Sequence, residues 1–293
     1  MAKYPTMFDP SSLVRKGFCP IRSGTRANET HSLYYEHGTG EKHVLLISGL
    51  NTSSFGWEFQ VRNKHSVLVF DNRGAVGLTC TSGMAEDIIA LLDYIGWVRV
   101  LGGMIAQGEY CSSHSVLVTR KMDQVSYDVS LSTRLAALLI NCCSLLLTPD
   151  PEKKAPTVMK MLYSSSWLGA PAATDPQRTN RQVKTETYLR RTLFSPKQLV
   201  IGHVSQLAAG LTHSVSTHRL RQISERVPKV VILCGDEDHL MHLQHSRDLK
   251  ASMPKAELVQ WKDTGHGIRS QRPDEFRDLL DRVFHEADVI RGC

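Results

Sequence analysis

Short runs of consecutive apolar residues alternate along this chain with stretches in which apolar positions recur every three or four residues. An apolar run closed by turn residues reads as a strand covered on both faces, and a 3.6-residue period reads as an amphipathic helix. The alternation therefore predicts βαβ units around a parallel sheet. His43–Ile47 (HVLLI) predicts a first buried strand ending at Ser48–Gly49, and Ser66–Phe70 (SVLVF) a second ending at Asp71–Asn72–Arg73–Gly74. Residues 82–94 predict a helix with Ser82 as N-cap and Met84, Ile88, Leu91, Leu92 and Ile95 on one apolar face. Further strands are predicted at residues 135–143, at 230–234 (VVILC, opened by Pro228) and at Glu257–Trp261. Residues 274–284 predict a closing helix with Phe276, Leu279, Leu280 and Val283 inward.

Between residues 145 and 225 the pattern turns helical and polar, with Pro149, Pro151, Pro171 and Pro196 as breaks. That block reads as a helical lid inserted between two halves of one sheet. The expected organisation is 31–144 and 226–288 as the halves of the core, 145–225 as the lid, and 1–30 and 289–293 as tails. The fold class is α/β, with a mostly parallel central sheet flanked by helices. A chain of 293 residues is long enough to bury such a core.

Composition narrows the function without naming it. With 41% hydrophobic and 22% charged residues the chain is an ordinary globular one. Its net charge of +6 is scattered rather than gathered into a stripe, so no nucleic-acid or membrane-surface partner is expected. No run approaches the ~20 apolar residues of a membrane span, and the N-terminus lacks the apolar centre of a secretory signal. Seven cysteines at irregular spacing, with no CxxC pair, favour a reduced cytoplasmic chain without a zinc site, and Cys142 and Cys143 read as packed thiols. His203, His213, His218, His239, His242 and His245 fit no helical ligand pair joined to a third ligand. Neither metal nor cofactor is expected.

Three local signals carry chemistry. Ile47–Ser48–Gly49–Leu50–Asn51 is a strand followed at once by a glycine turn, where a backbone N–H can face an oxyanion. Read alone it is more often a structural turn. Gly235–Asp236–Glu237–Asp238 ends a buried strand, where a carboxylate can orient a histidine or simply cap a turn. Thr264–Gly265–His266–Gly267 ends the next strand, with glycines that let the backbone turn sharply and hold an imidazole out into a cleft. Asp238 precedes His266 by 28 residues, room for one helix and one strand between neighbouring strand ends.

With HGTGEKHVLLISGLNTSSFGW, SVLVFDNRG, TSGMAEDIIALLDYIGW, LGGMIAQ, VPKVVILCGDEDHL and WKDTGHGI, the chain resembles the α/β-hydrolase superfamily in its lipase, esterase and epoxide-hydrolase-like branch. The resemblance implies a serine on a nucleophile elbow, a histidine base, an acid that orients it and a lid shaping the substrate pocket. On that analogy Asp238 is the acid, His266 the base, and the N–H groups of Leu50 and Leu101 the oxyanion hole. The elbow itself departs from the family pattern. In the family the elbow precedes a glycine-rich helix start, which Leu101–Gly102–Gly103–Met104–Ile105–Ala106 matches; counting back from Gly102 through Leu101 puts the nucleophile at Val100, and no Gly-x-Ser-x-Gly occurs anywhere in the chain. Valine supplies neither serine nor aspartate chemistry. Ser53, Ser54, Cys80 and Cys111 are other hydroxyls and thiols, but no strand-to-helix elbow presents them.

Only Val98, Arg99 and Val100 separate Trp97 from Leu101, so a stunted strand is expected there, and residues 108–132 show no clear periodicity. Two origins stay open: a paralogue that lost its nucleophile, or altered exon boundaries around 108–132. The expected function is that of a serine hydrolase by descent, acting on a small or medium carboxylic ester if intact and impaired as written. The alternative is a non-catalytic ligand-binding or interaction protein, whose lid pocket holds a small apolar or ester-like molecule or a partner. Loss of a central strand also predicts marginal stability.

Overall fold

The computed structural model describes residues 6–22, 30–40, 42–49, 53–61, 65–73, 81–97, 100, 102–105, 115–118, 148, 150–194, 200–211 and 215–291. Its strands are β1 (Leu13–Arg22), β2 (Thr30–Gly38), β3 (His43–Ile47), β4 (Ser66–Phe70), β5 (Gly102–Ile105), β6 (Ser115–Val118), β7 (Pro171–Ala172), β8 (Asp175–Thr179), β9 (Val230–Gly235) and β10 (Glu257–Trp261). Eight of them form one sheet in the order β1-β2-β4-β3-β5-β6-β9-β10, and β7 and β8 pair apart. The helices are α1 (Thr81–Ile95), α2 (Pro151–Leu162), α3 (Ser165–Gly169), α4 (Asn180–Phe194), α5 (Val200–Leu211), α6 (Thr217–Arg226), α7 (Leu243–Ser252), α8 (Ile268–Gln271) and α9 (Pro273–Arg291).

β3 runs parallel to β4 and β5, and β9 parallel to β10. β6 is antiparallel to both β5 and β9, which returns β9 to the direction of β3. The period of two along the strands sorts the core into two layers. Val44, Leu46, Val67, Val69, Val231 and Leu233 face α9, whose Phe276, Leu279, Leu280, Val283 and Phe284 cover them. Leu45, Ile47, Leu68 and Phe70 face the other way, against Ile88, Leu91 and Leu92 of α1. Each such fully buried side chain contributes roughly 1.5–3 kcal/mol.

Several elements differ from the sequence pattern. The tail expected over 1–30 contains β1, paired antiparallel with β2. Arg15 and Lys16 break its apolar run, although Cys19 and Ile21 are buried. α1 starts at Thr81, so Ser82 lies in its first turn and is not the cap. Pro151 starts a helix instead of breaking one, because the N1 position needs no N–H, and Asp150 Oδ1 accepts from Glu152 N at 2.9 Å. α9 runs on to Arg291, past the expected boundary at 288.

The strand beside β3 is Gly102–Ile105 rather than 98–100. Trp97 and Val100 are packed into the core under α1, so only the chain beyond Val100 is free to run up beside β3, in the register Val44↔Gly102 to Ile47↔Ile105. β6 falls inside the stretch that shows no periodicity. The strand expected at 135–143 lies outside the described residues. Among those described, no helix is long and apolar enough to cross a membrane.

Candidate functional site

Parallel strands end at a common edge, and four segments of this chain meet there: Ser48–Gly49 after β3, Asp71–Asn72–Arg73 after β4, Asp236–Asp238 after β9 and Asp263–His266 after β10. β9 and β10 are paired with Gly235 opposite Trp261, so the loops leaving them are neighbours from their first residue. Asp236 N donates to Trp261 O at 3.1 Å, Glu237 N to Thr264 O at 3.0 Å, and Thr264 N to Asp236 Oδ1 at 3.3 Å. A Cβ on Gly235 would stand 2.0 Å from Thr264 O, so only glycine permits this approach. Asp263, with φ 51, makes the left-handed turn out of β10.

These loops bring the two residues singled out in the sequence together. Asp238 Oδ2 lies 2.8 Å from His266 Nδ1, and the side chains are 3% and 0% exposed. Asp238 Oδ1 accepts from the backbone N–H groups of Leu240 and Met241, both at 2.8 Å, which fixes the carboxylate plane. A carboxylate in this position accepts, so Nδ1 carries the proton and Nε2 is the basic nitrogen. Of the three acids in Gly235–Asp236–Glu237–Asp238, Asp238 holds the imidazole and Asp236 ties the two loops together.

The glycines beside His266 serve another purpose than the one expected from sequence. Neither has a positive φ, and His266 is buried instead of projecting into a cleft. A Cβ on Gly265 would meet Leu162 O at 2.6 Å and Tyr163 Cα at 2.8 Å, and one on Gly267 would meet the Tyr163 ring at 2.6 Å. The chain at the C-terminal end of α2 thus lies directly on the histidine loop. Gly267 N donates to Leu162 O at 2.6 Å, Ser164 Oγ to Asp263 O at 3.2 Å, and the hydroxyls of Tyr163 and Ser270 are 2.7 Å apart. Gln271 closes the loop from below, accepting from Gly265 N at 3.0 Å and donating to Asp263 O at 2.6 Å.

At the neighbouring strand end, Trp57 Nε1 donates to Ser48 Oγ at 3.2 Å and Asn72 Nδ2 to Ser48 O at 2.7 Å. Asp71 Oδ1 accepts from Ser54 N at 2.6 Å; burial pushes the Asp71 carboxyl up, against the pull of that N–H. Ser54 is buried in a short helical turn, 54–57, and no elbow presents it. Leu50 and Leu101, the expected oxyanion donors, lie outside the described residues, as do Cys80 and Cys111. Val100 is buried two positions before β5 begins, at the opposite edge of the sheet from Asp238 and His266. Among the described residues no group of three or more His, Cys, Asp or Glu side chains could hold a metal ion. His242 serves as a helix cap, its Nδ1 accepting from Gln244 N at 3.2 Å. The supporting parts that the sequence did not disclose are Gln271, Tyr163, Asp71 and Asn72. Only the position of Gln271, five residues past His266, is a local signal.

The comparisons with known proteins agree with this architecture. A protein of Caulobacter vibrioides, provisionally named carbamate hydrolase RutD, is 24% identical over 269 residues, covering 85% of this chain and 93% of its own. The solved structure of a malate-bound thermophilic esterase from Thermogutta terrifontis superposes with a TM-score of 0.65 at 14% identity, covering 94% of this chain and 99% of that one. That of a bromoperoxidase from Bacillus anthracis gives 0.64 at 15% identity, covering 92% and 100%. The family model described as alpha/beta hydrolase family matches residues 44–279, most of the chain, and the chain belongs to that family.

Proposed function

We propose that this chain carries the acid–histidine half of an acyl-hydrolase centre and lacks the nucleophile that would complete it. The observation behind this reading is the 2.8 Å contact between Asp238 and His266 on the ends of adjacent parallel strands, with the carboxylate held by two further N–H groups. In an intact centre of this type Nε2 of the histidine takes the proton of a serine hydroxyl as it attacks the acyl carbon and returns it to the leaving group, while the acid stabilises the imidazolium. Here Val100 offers no hydroxyl, and neither do Ala106, Gln107 and Gly108, the residues that directly follow β5. The intact form acts on a small or medium carboxylic ester. The relatives named for carbamate hydrolysis fit the same chemistry, since an ester and a carbamate both expose an acyl carbonyl to attack. Residues 145–225 form the lid, and its strap at 162–164 covers the histidine.

A second reading has its own observation. A family member whose imidazole is buried beneath that strap and whose elbow is gone can serve as a cytoplasmic ligand-binding protein, for a small apolar or ester-like molecule.

A fluorophosphonate probe together with turnover of p-nitrophenyl acetate tests the missing nucleophile, on which both readings rest. The expected result is no covalent adduct, and ester hydrolysis no faster in the wild type than in His266→Ala. Stoichiometric labelling that disappears in His266→Ala would overturn the reading, because it requires an activated hydroxyl.

A further inference from the structure

An open-mouthed cleft runs between the C-terminal end of α2, the face of α4 and Ser270 of the histidine loop. Its polar lining is cationic. Lys184 of α4 extends between two aromatic rings, its ammonium 5.3 Å from the centre of Phe59 and 5.9 Å from that of Trp167. Aromatic faces stabilise a cation without neutralising it, so they leave the charge available to an anion. No carboxylate among the described residues pairs with Lys184. Glu58, the acid of this region, accepts instead from Arg190 and Arg191, each at 3.1 Å. Three cations thus face one carboxylate.

Arg191, which also lines the cleft, commits one arm of its guanidinium to Glu58, while its buried Nε–H meets no acceptor among the described residues. A buried donor without an acceptor is rare in a folded protein and points to a group that accepts. The hydroxyls of Tyr163 and Ser270, paired with each other and with Ser270 donating to Gly267 O at 3.0 Å, make a polar wall at the side where the cleft meets the His266 loop.

We propose that this cleft binds the carboxylate of a small organic acid, with Lys184 and Arg191 as its cationic partners and the Tyr163–Ser270 hydroxyl pair beside it. A carboxylate fits because it presents two acceptor oxygens in one plane, matching an ammonium and a guanidinium N–H that approach from different turns of one helix. Burial, with Arg191 adding and Glu58 opposing, pulls the Lys184 ammonium down to about 8. Binding therefore weakens as pH rises through about 8 and Lys184 loses its proton. The groups facing Lys184 are Arg191 of its own helix, Glu58 and Phe59 of the turn below, Trp167 of α3 and Tyr163 and Tyr188 of the cleft wall.

The experiment is calorimetric titration of the whole chain with acetate and succinate at fixed ionic strength, with chloride as control. The expected result is saturable binding of the carboxylates, weakened about tenfold or more in Lys184→Met and in Arg191→Gln, and retained in Lys184→Arg. Binding that is absent, matched by chloride, or unchanged in both variants would overturn the proposal. The imidazole resonance of His266 in the same titration identifies the source. A shift on binding marks the carboxylate as part of a molecule that reaches the histidine, and no shift marks a separate effector. The readout is binding, so a failed hydrolase assay leaves it standing and a failed titration leaves the hydrolase reading standing.

Discussion

A lysine drawn down to about 8 is a group the fold holds at a cost. Its ammonium has lost water to the aromatic rings around it, and the folded chain releases the proton near pH 8 where the unfolded chain holds it to 10.5. The unfolded state thus binds more protons between those values, and by linkage the stability of the native state rises as pH climbs through that window. Below pH 8 both states are protonated and the folded one carries the whole penalty, up to about 3 kcal/mol. Lys184→Met is therefore expected to raise the melting temperature at pH 7 and to flatten the rise between pH 8 and 10.5 relative to the wild type. Thermal melts of the two proteins across that range check both. A variant that is less stable at pH 7 would mean that the cation–π contacts outweigh desolvation. Asp238 and His266 could be found from sequence because each follows a predicted strand and a glycine. Lys184 and Arg191 could not. They meet Glu58 and Phe59 only through the packing of α4 on the turn at 54–57, and no local spacing encodes that.

At the scale of elements, β3, β4 and β10 have the bounds read from sequence and β9 extends one residue further, because nearly every residue in β3, β4 and β9 is apolar and buried on both faces. β1 escaped notice because an edge strand can carry Arg15, Lys16 and an exposed Phe18 without loss. β5 escaped for the opposite reason: Gly-Gly-Met-Ile matches the start of a helix in the family, and only its register with β3 makes it a strand. The contact between the α2 end and the histidine loop is a second case in which packing decides. Gly265→Ala would push a methyl group against the backbone of Leu162 and Tyr163, which cannot move as a side-chain tip would. The expected cost is about 1–3 kcal/mol. Gly169→Ala, with nothing within 4 Å of the added carbon, is expected to stay within about 0.5 kcal/mol of the wild type. Urea denaturation of both variants distinguishes the two. Equal losses would mean that the glycines matter for chain entropy and not for close approach.

Across the whole molecule the sheet has a seam. Among the described residues β5 and β6 are four residues each and pair through Gly103↔Val118 and Met104↔Leu117 alone, whereas β9 and β10 pair through five residues. To one side of the seam lie β1 to β5, to the other β6, β9 and β10. What joins the halves is the layer beneath, where Val44 and Leu46 share one cluster with Val231 and Leu233 under α9. α9 is fastened from outside as well: Arg282 hydrogen-bonds to Glu257, holding its carboxyl down to about 2, and Lys229 bridges Glu257 to Glu286. Two consequences follow. Backbone amides of β5 and β6 are expected to exchange with solvent through local opening at far lower free energy than those of β9, which hydrogen-exchange mass spectrometry resolves. Because the shared cluster spans both halves, global unfolding is nevertheless expected to be a single cooperative transition, with its midpoint below about 60 °C for a sheet so thinly joined at its centre. Phe276→Ala, emptying the buried position from which α9 touches that cluster, is expected to cost about 3–5 kcal/mol and to lower the midpoint without splitting the transition. Two separate transitions, or β5 amides as protected as those of β9, would show that the seam is not the weak point and that the centre of this sheet is held by more than its two-residue ladder.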